Sequence, residues 1–166
     1  MKKRAVAAVV CWVLTISWMV FIFAMSTQNG ETSAEISGSV TEAIVSVVTP
    51  EYDTLPEEEQ KALVADWHGV VRKGAHFCEY AVLGALLLCS LSLSLTRRKL
   101  AVPLALALPM AAIYAASDEW HQAFVGGRGP SVADVGIDTL GALLGILVVL
   151  FVLLLWRRRR KRKEIS

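Results

Sequence analysis

Two stretches carry most of the chemistry in this chain. RKGAHFCEYAVLG, residues 72–84, sets Arg72, His76, Glu79 and Tyr80 at intervals of three and four, so all four share one face of a helix. SDEWHQAFVGGRGPSVADVGID, residues 117–138, adds Asp118, Glu119, His121, Gln122, Arg128, Asp134 and Asp138. A His one turn from a carboxylate is the material of a general acid/base pair, and His76 with Glu79 and Asp118 with His121 both have that spacing. Arg72, Lys73 and Arg128 suit a phosphate or carboxylate, because a guanidinium meets such oxyanions as a bidentate fork.

Both stretches sit against apolar runs long enough to cross a bilayer, which needs about 20 residues. The chain has 166 residues, is 55% hydrophobic and gathers its apolar residues into Ala5 to Met25, Gly74 to Leu95, Leu100 to Ser117 and Val132 to Trp156. That pattern excludes an ordinary soluble domain and predicts an all-α integral membrane protein, a four-helix bundle forming one domain over residues 1–166. Pro103 and Pro109 inside the third run predict a kink or tilt. Met1-Lys2-Lys3-Arg4 before the first run imitates a secretory signal, but an apolar core of about 20 residues exceeds the usual 7 to 15 and reads as an uncleaved anchor.

Charge sets the expected orientation. Lys2, Lys3, Arg4, Arg97, Arg98, Lys99 and the seven bases of 157–163 all fall on one side of four spans, with Glu164 as that side's single acid. The other side and the polar span ends hold four bases and fourteen acids. The basic side, including the tail 157–166, is therefore expected in the cytoplasm with both termini. A basic run flanking a span is a stop-transfer and lipid-contact signal, so no nucleic-acid partner is expected. Cys11, Cys78 and Cys89 all lie within spans without metal-ligand or CxxC spacing and read as small apolar residues.

The extracytoplasmic segment 26–71 carries two capping-box patterns. Thr32-x-x-Glu35 precedes an apolar stripe of Ile36, Val40, Ile44, Val47 and Val48 that stops at Thr49-Pro50, and Thr54-x-x-Glu57 with Pro56 precedes Leu63, Val64, Trp67, Val70 and Val71. Two short amphipathic helices are expected, lying on the interface or capping the bundle. Span four should open at Ser131-x-x-Asp134 and then carry Asp134, Asp138, Gly141 and Gly145 on one stripe, the glycines admitting a partner helix. The third span ends with Tyr114, Ser117, Asp118 and His121 on another. At 1.5 Å per residue, Glu79 lies roughly 9 Å below Lys73 and Asp138 roughly 10 Å below Ser131. Spans two, three and four are therefore expected to build one outward-facing polar pocket.

These residues also resemble a known family. RKGAHFCEYAVLGALL and SDEWHQAFVGGRGPSVADVGIDTLGALLG are similar to the two signature blocks of the VanZ-like family of small membrane proteins, with Phe23, Ser26 and Gln28 matching a further motif, over roughly residues 10 to 155. The resemblance implies a cell-envelope protein linked to glycopeptide (teicoplanin) resistance. It places Arg72, Lys73, His76, Glu79, Tyr80, Ser117, Asp118, Glu119, His121, Gln122, Arg128, Asp134, Gly141 and Gly145 at motif positions. The expected ligands are membrane lipid headgroups, a lipid-linked wall precursor or an amphiphilic lipoglycopeptide, with Asp138 joining the ligand-binding set and homo-oligomerisation left open.

The alternative is an enzyme acting on such a lipid-linked substrate, with His76, Glu79, Asp118 and His121 as catalytic candidates and Arg128 stabilising developing charge. A metal could join the two His/carboxylate pairs, but i, i+3 spacing arises on any polar helix face; no metal or cofactor is assigned. No GxSxG, HExxH or phosphate-loop pattern occurs. A purely structural ion-pair network locking three helices, and a proton-linked transporter, are the remaining readings.

Overall fold

The computed structural model describes residues 2–26, 30–95, 99–122, 124 and 131–165. It is all-helical, with α1 (Lys2–Ser26), α2 (Gly30–Val48), α3 (Glu57–Ser94), α4 (Ala101–Gln122) and α5 (Val132–Ile165), and a 3-10 turn at Tyr52–Thr54. Four helices are long and apolar enough to cross a membrane, corresponding to α1, α3, α4 and the Val132–Trp156 part of α5.

One expectation is refined. The second outer helix and the second span are a single helix, α3, whose 38 residues make about 57 Å at 1.5 Å per residue, nearly twice a hydrocarbon core of about 30 Å. No proline interrupts it, and Gly69 and Gly74, though weak helix formers, leave the hydrogen-bond ladder intact. α2 packs against the upper part of α3, and Ser37 Oγ meets His68 Nε2 at 2.5 Å across the pair. The result is a helical hairpin continuous with the bundle.

The hairpin's tip has its own closures. Thr54 is not the cap of α3: its hydroxyl donates to Glu51 O at 2.7 Å within the turn, while Pro56 occupies the N-cap without a side-chain bond. Gln60 donates its amide to Tyr52 O and Leu55 O, both at 3.0 Å, which ties the carbonyls of the turn to the start of α3. Tyr52 is buried there, and burial, then Glu42, push its phenol above the usual tyrosine value. Thr32 lies inside α2 rather than before it, and its side chain falls outside the described ones.

α3 is the hub and touches every other helix, α5 most extensively. Glycine explains that intimacy. A Cβ at Gly141 would overlap the carbonyl oxygen of Phe77, one at Gly145 that of Ala81, and one at Gly84 that of Ala142. The two backbones can touch only because these side chains are absent. α4 completes the core with Ala107, Ala111 and Ala115, all fully buried, against Tyr80, Leu83, Leu87 and Leu88 of α3 and Ala142 and Ile146 of α5. Pro103 falls in the first turn of α4, where its missing N–H costs little, and Pro109 stands within the helix, where it removes one ladder bond.

α1 is joined by polar bonds rather than by a glycine seam. Thr15 Oγ1 and Ser90 Oγ meet at 2.9 Å in a buried contact, Trp12 Nε1 donates to Ser94 Oγ at 2.9 Å, and Tyr114 OH donates to Met19 O at 2.5 Å. The three cysteines are free thiols.

Candidate functional site

The buried stripe of α4 changes character along its length. Ala107, Ala111 and Ala115 are followed on the same face by Asp118, Glu119 and Gln122, each no more than 7% exposed. The core is thus apolar towards the basic end and polar at the hairpin end. Ser117, expected on this face, is exposed and bonds its own helix at Tyr114 O, 2.7 Å away.

α3 and α5 bring their polar residues to the same level. Arg72, Lys73 and His76 of α3, Glu119 and Gln122 of α4, and Asp134, Ile137 and Asp138 of α5 line a narrow cleft of about 10 Å³, room for about one water. Lys73 Nζ stands 3.8 Å from Asp134 Oδ1, and His76 Nδ1 stands 3.7 Å from Glu79 Oε2. Gln122 donates to Asp118 Oδ2 at 3.1 Å. The α3 backbone is held here as well, because Trp18 of α1 donates its indole N–H to Glu79 O at 2.9 Å.

The start of α5 is tied to the end of α4. Ser131 Oγ accepts the Asp134 N–H at 3.2 Å, which is the expected N-cap bond. The reciprocal half of the capping box is absent: the Ser131 N–H is taken at 2.8 Å by Glu119 Oε2 from the neighbouring helix. That leaves the Asp134 side chain to face Lys73.

Several polar atoms in this cluster are buried without a hydrogen bond among the described residues: Tyr80 Oη, Asp118 Oδ1, His121 Nδ1, Asp134 Oδ1 and Asp138 Oδ1. Asp118 and Asp138 are each 2% exposed, and Tyr80 is fully buried. Leaving such a group unsatisfied costs about 1–3 kcal/mol.

The described residues of the expected set stand at one end of α3, α4 and α5, but not all of them line the cleft. Glu79, Tyr80, Asp118 and His121 are not part of its lining, and the His121 ring packs on Phe23 of α1, with centroids 4.6 Å apart. Among the described residues no group of three or more His, Cys, Asp and Glu has the geometry to hold a metal ion, so the two His/carboxylate pairs do not converge as a ligand set. Arg128 and Gln28 lie outside the described residues. Sequence reasoning missed the share of α1, which supplies Phe23, Trp18 and a buried Ser26; the matching Phe23 and Ser26 were the available signal. A larger groove of about 370 Å³ lies between α2 and α3 beside Tyr52, Lys61 and His68, but the buried unsatisfied groups converge elsewhere.

Four helices long and apolar enough to cross a membrane, with buried carboxylates at one end of the bundle, are consistent with a multi-pass membrane protein. The sequence model of the VanZ/LLP1 family matches residues 11–156, nearly the whole chain, and the chain belongs to that family. Membership makes it a VanZ-like protein of the cell envelope, linked at the level of the family to glycopeptide resistance. No curated protein and no solved structure matches it.

Proposed function

We propose that the polar end of the bundle receives the head of a membrane amphiphile, either a lipid headgroup, a lipid-linked wall precursor or an amphiphilic glycopeptide, and that this binding underlies protection against teicoplanin-type antibiotics. The observation that carries the reading is the set of buried polar atoms on Tyr80, Asp118 and Asp138 that have no hydrogen bond among the described residues, where three apolar helices end. Ionisable groups are retained at such a depth chiefly for function. Arg72 and Lys73 stand at the mouth of the cleft and supply the donors for a phosphate or carboxylate, with Arg128 as the third base of the set. The charge asymmetry supports a hairpin facing outward and both termini in the cytoplasm.

The test uses a strain whose teicoplanin susceptibility depends on this protein. Arg72→Lys and Arg128→Lys keep charge and lose the planar fork, and each should lower protection at unchanged protein abundance. Full protection in the Lys and Ala variants at both positions refutes the reading. Acid/base chemistry on the same head is a second reading, favoured by the His76–Glu79 pair beside a cleft with room for one water. His76→Gln retains hydrogen bonding and abolishes proton transfer, so lost protection with intact head binding supports chemistry.

A further inference from the structure

We infer that the cleft selects a head carrying a primary ammonium next to its phosphate, a phosphoethanolamine-type zwitterion, with the ammonium seated on Asp138 and the phosphate on Arg72 and Lys73. This rests on the head-binding reading above and names the class of head.

The argument begins with charge. The cleft lining has two permanent cations, Arg72 and Lys73, and the titratable His76, which faces Glu79 at 3.7 Å, against three acids, Glu119, Asp134 and Asp138, with Asp118 behind Gln122. Two of the three lining acids have assigned roles: Asp134 faces Lys73 at 3.8 Å, and Glu119 accepts the Ser131 N–H at 2.8 Å. Asp138 has none. It is 2% exposed, lines the cleft, and its Oδ1 has no hydrogen bond among the described residues. A wholly anionic head would put its charge above this buried carboxylate, with Arg72 and Lys73 at the rim as its counter-charges and no cation at Asp138 itself. A head that also carries a cation offsets it directly.

Size then narrows the cation. A cleft of about 10 Å³ takes one water-sized group. A primary ammonium is of that size and brings three donors. Asp138 Oδ1 supplies one acceptor, and Gln122, which lines the same cleft and gives its amide nitrogen to Asp118, carries an amide oxygen as a second acceptor. A trimethylammonium has no N–H donor and does not fit the space. Lys73, whose side chain is half exposed, and Arg72 sit at the rim, where a phosphate one short carbon linker away from the ammonium comes to rest.

The full-length protein is reconstituted in nanodiscs of equal parts phosphatidylethanolamine, its N,N-dimethyl derivative, phosphatidylcholine and phosphatidylglycerol, and the lipid retained on detergent extraction is quantified by mass spectrometry. Phosphatidylethanolamine should be enriched about tenfold over phosphatidylcholine and phosphatidylglycerol, with the dimethyl lipid between. Asp138→Asn should abolish that discrimination while lipid is still retained through Arg72 and Lys73. Retention of all four lipids in equal amounts, or a preference for phosphatidylglycerol, overturns the ammonium site and leaves head binding standing. Protein recovered with no bound lipid overturns both. Because the methylation series is read on the wild-type protein, a misfolded Asp138 variant does not rescue the idea.

Discussion

The backbone N–H of Ser131 donates to Glu119 Oε2 at 2.8 Å, so a buried acid at the end of α4 closes the first turn of α5. Glu119→Ala should strand that N–H and destabilise the protein by about 1–3 kcal/mol, read as a loss of thermal stability in micelles. Glu119→Gln keeps a carbonyl acceptor and should recover most of the loss. Equal damage from both substitutions would assign the effect to charge instead of the bond.

The seam between α3 and α5 predicts a sharp positional contrast. Gly145→Leu has no free volume, since even its Cβ meets the Ala81 carbonyl, whereas Gly136 has nothing within 4 Å of its missing Cβ. The first substitution should eliminate the folded peak in size-exclusion chromatography. Gly136→Ala should leave it unchanged or raise stability by about 0.5–1 kcal/mol through helix propensity.

The hairpin can be tested by crosslinking. In a background without the native cysteines, Ser37→Cys with His68→Cys should be bridged by a short bifunctional maleimide, because the two side chains are in contact across α2 and α3. A pair that reacts only singly, at both positions, means that α2 lies away from α3.

Orientation has its own measurement. A cysteine introduced at exposed Glu58 should react with an impermeant maleimide on intact cells, and one at exposed Arg158 should be protected until the cells are opened. The reverse pattern turns the polar site to the cytoplasm.

Asp138 predicts a trade between stability and binding. With no ligand bound, Asp138→Asn removes a buried carboxylate that lacks a hydrogen bond among the described residues and should raise thermal stability by about 1–3 kcal/mol. Head binding should fall at the same time. A variant less stable in lipid-free micelles shows that the carboxylate has a structural partner.

The four spans were legible because hydropathy over about 20 residues is a strong, local signal, and the polar stripes were legible because helical spacing fixes which residues share a face. The same spacing marks Gly141 and Gly145 as a contact surface, and they meet Phe77 and Ala81. What escaped depended on neighbours. Nothing between Val71 and Gly74 marks either a joint or its absence, so the fusion of outer helix and span was invisible. Thr54 and Glu57 have the spacing of a cap, but Gln60 competes for the turn's carbonyls and Thr54 bonds Glu51. Half of the Ser131 box went to Glu119, twelve residues earlier and on another helix. On α4 the buried set is shifted from Ser117 to Glu119 and Gln122, a rotation that only the packing partner decides.

The unbroken run of α3 fixes the hairpin in azimuth as well as in height. Every residue from Glu57 to Glu79 belongs to one screw, so the direction in which α2 leans is geared to the direction in which His76 and Glu79 point. Inserting one residue between Gly69 and Arg72 advances that screw by about 100°, turning the hairpin around the bundle while the spans keep their seating. The hairpin therefore stands over the polar cleft at a bearing set by residue count alone.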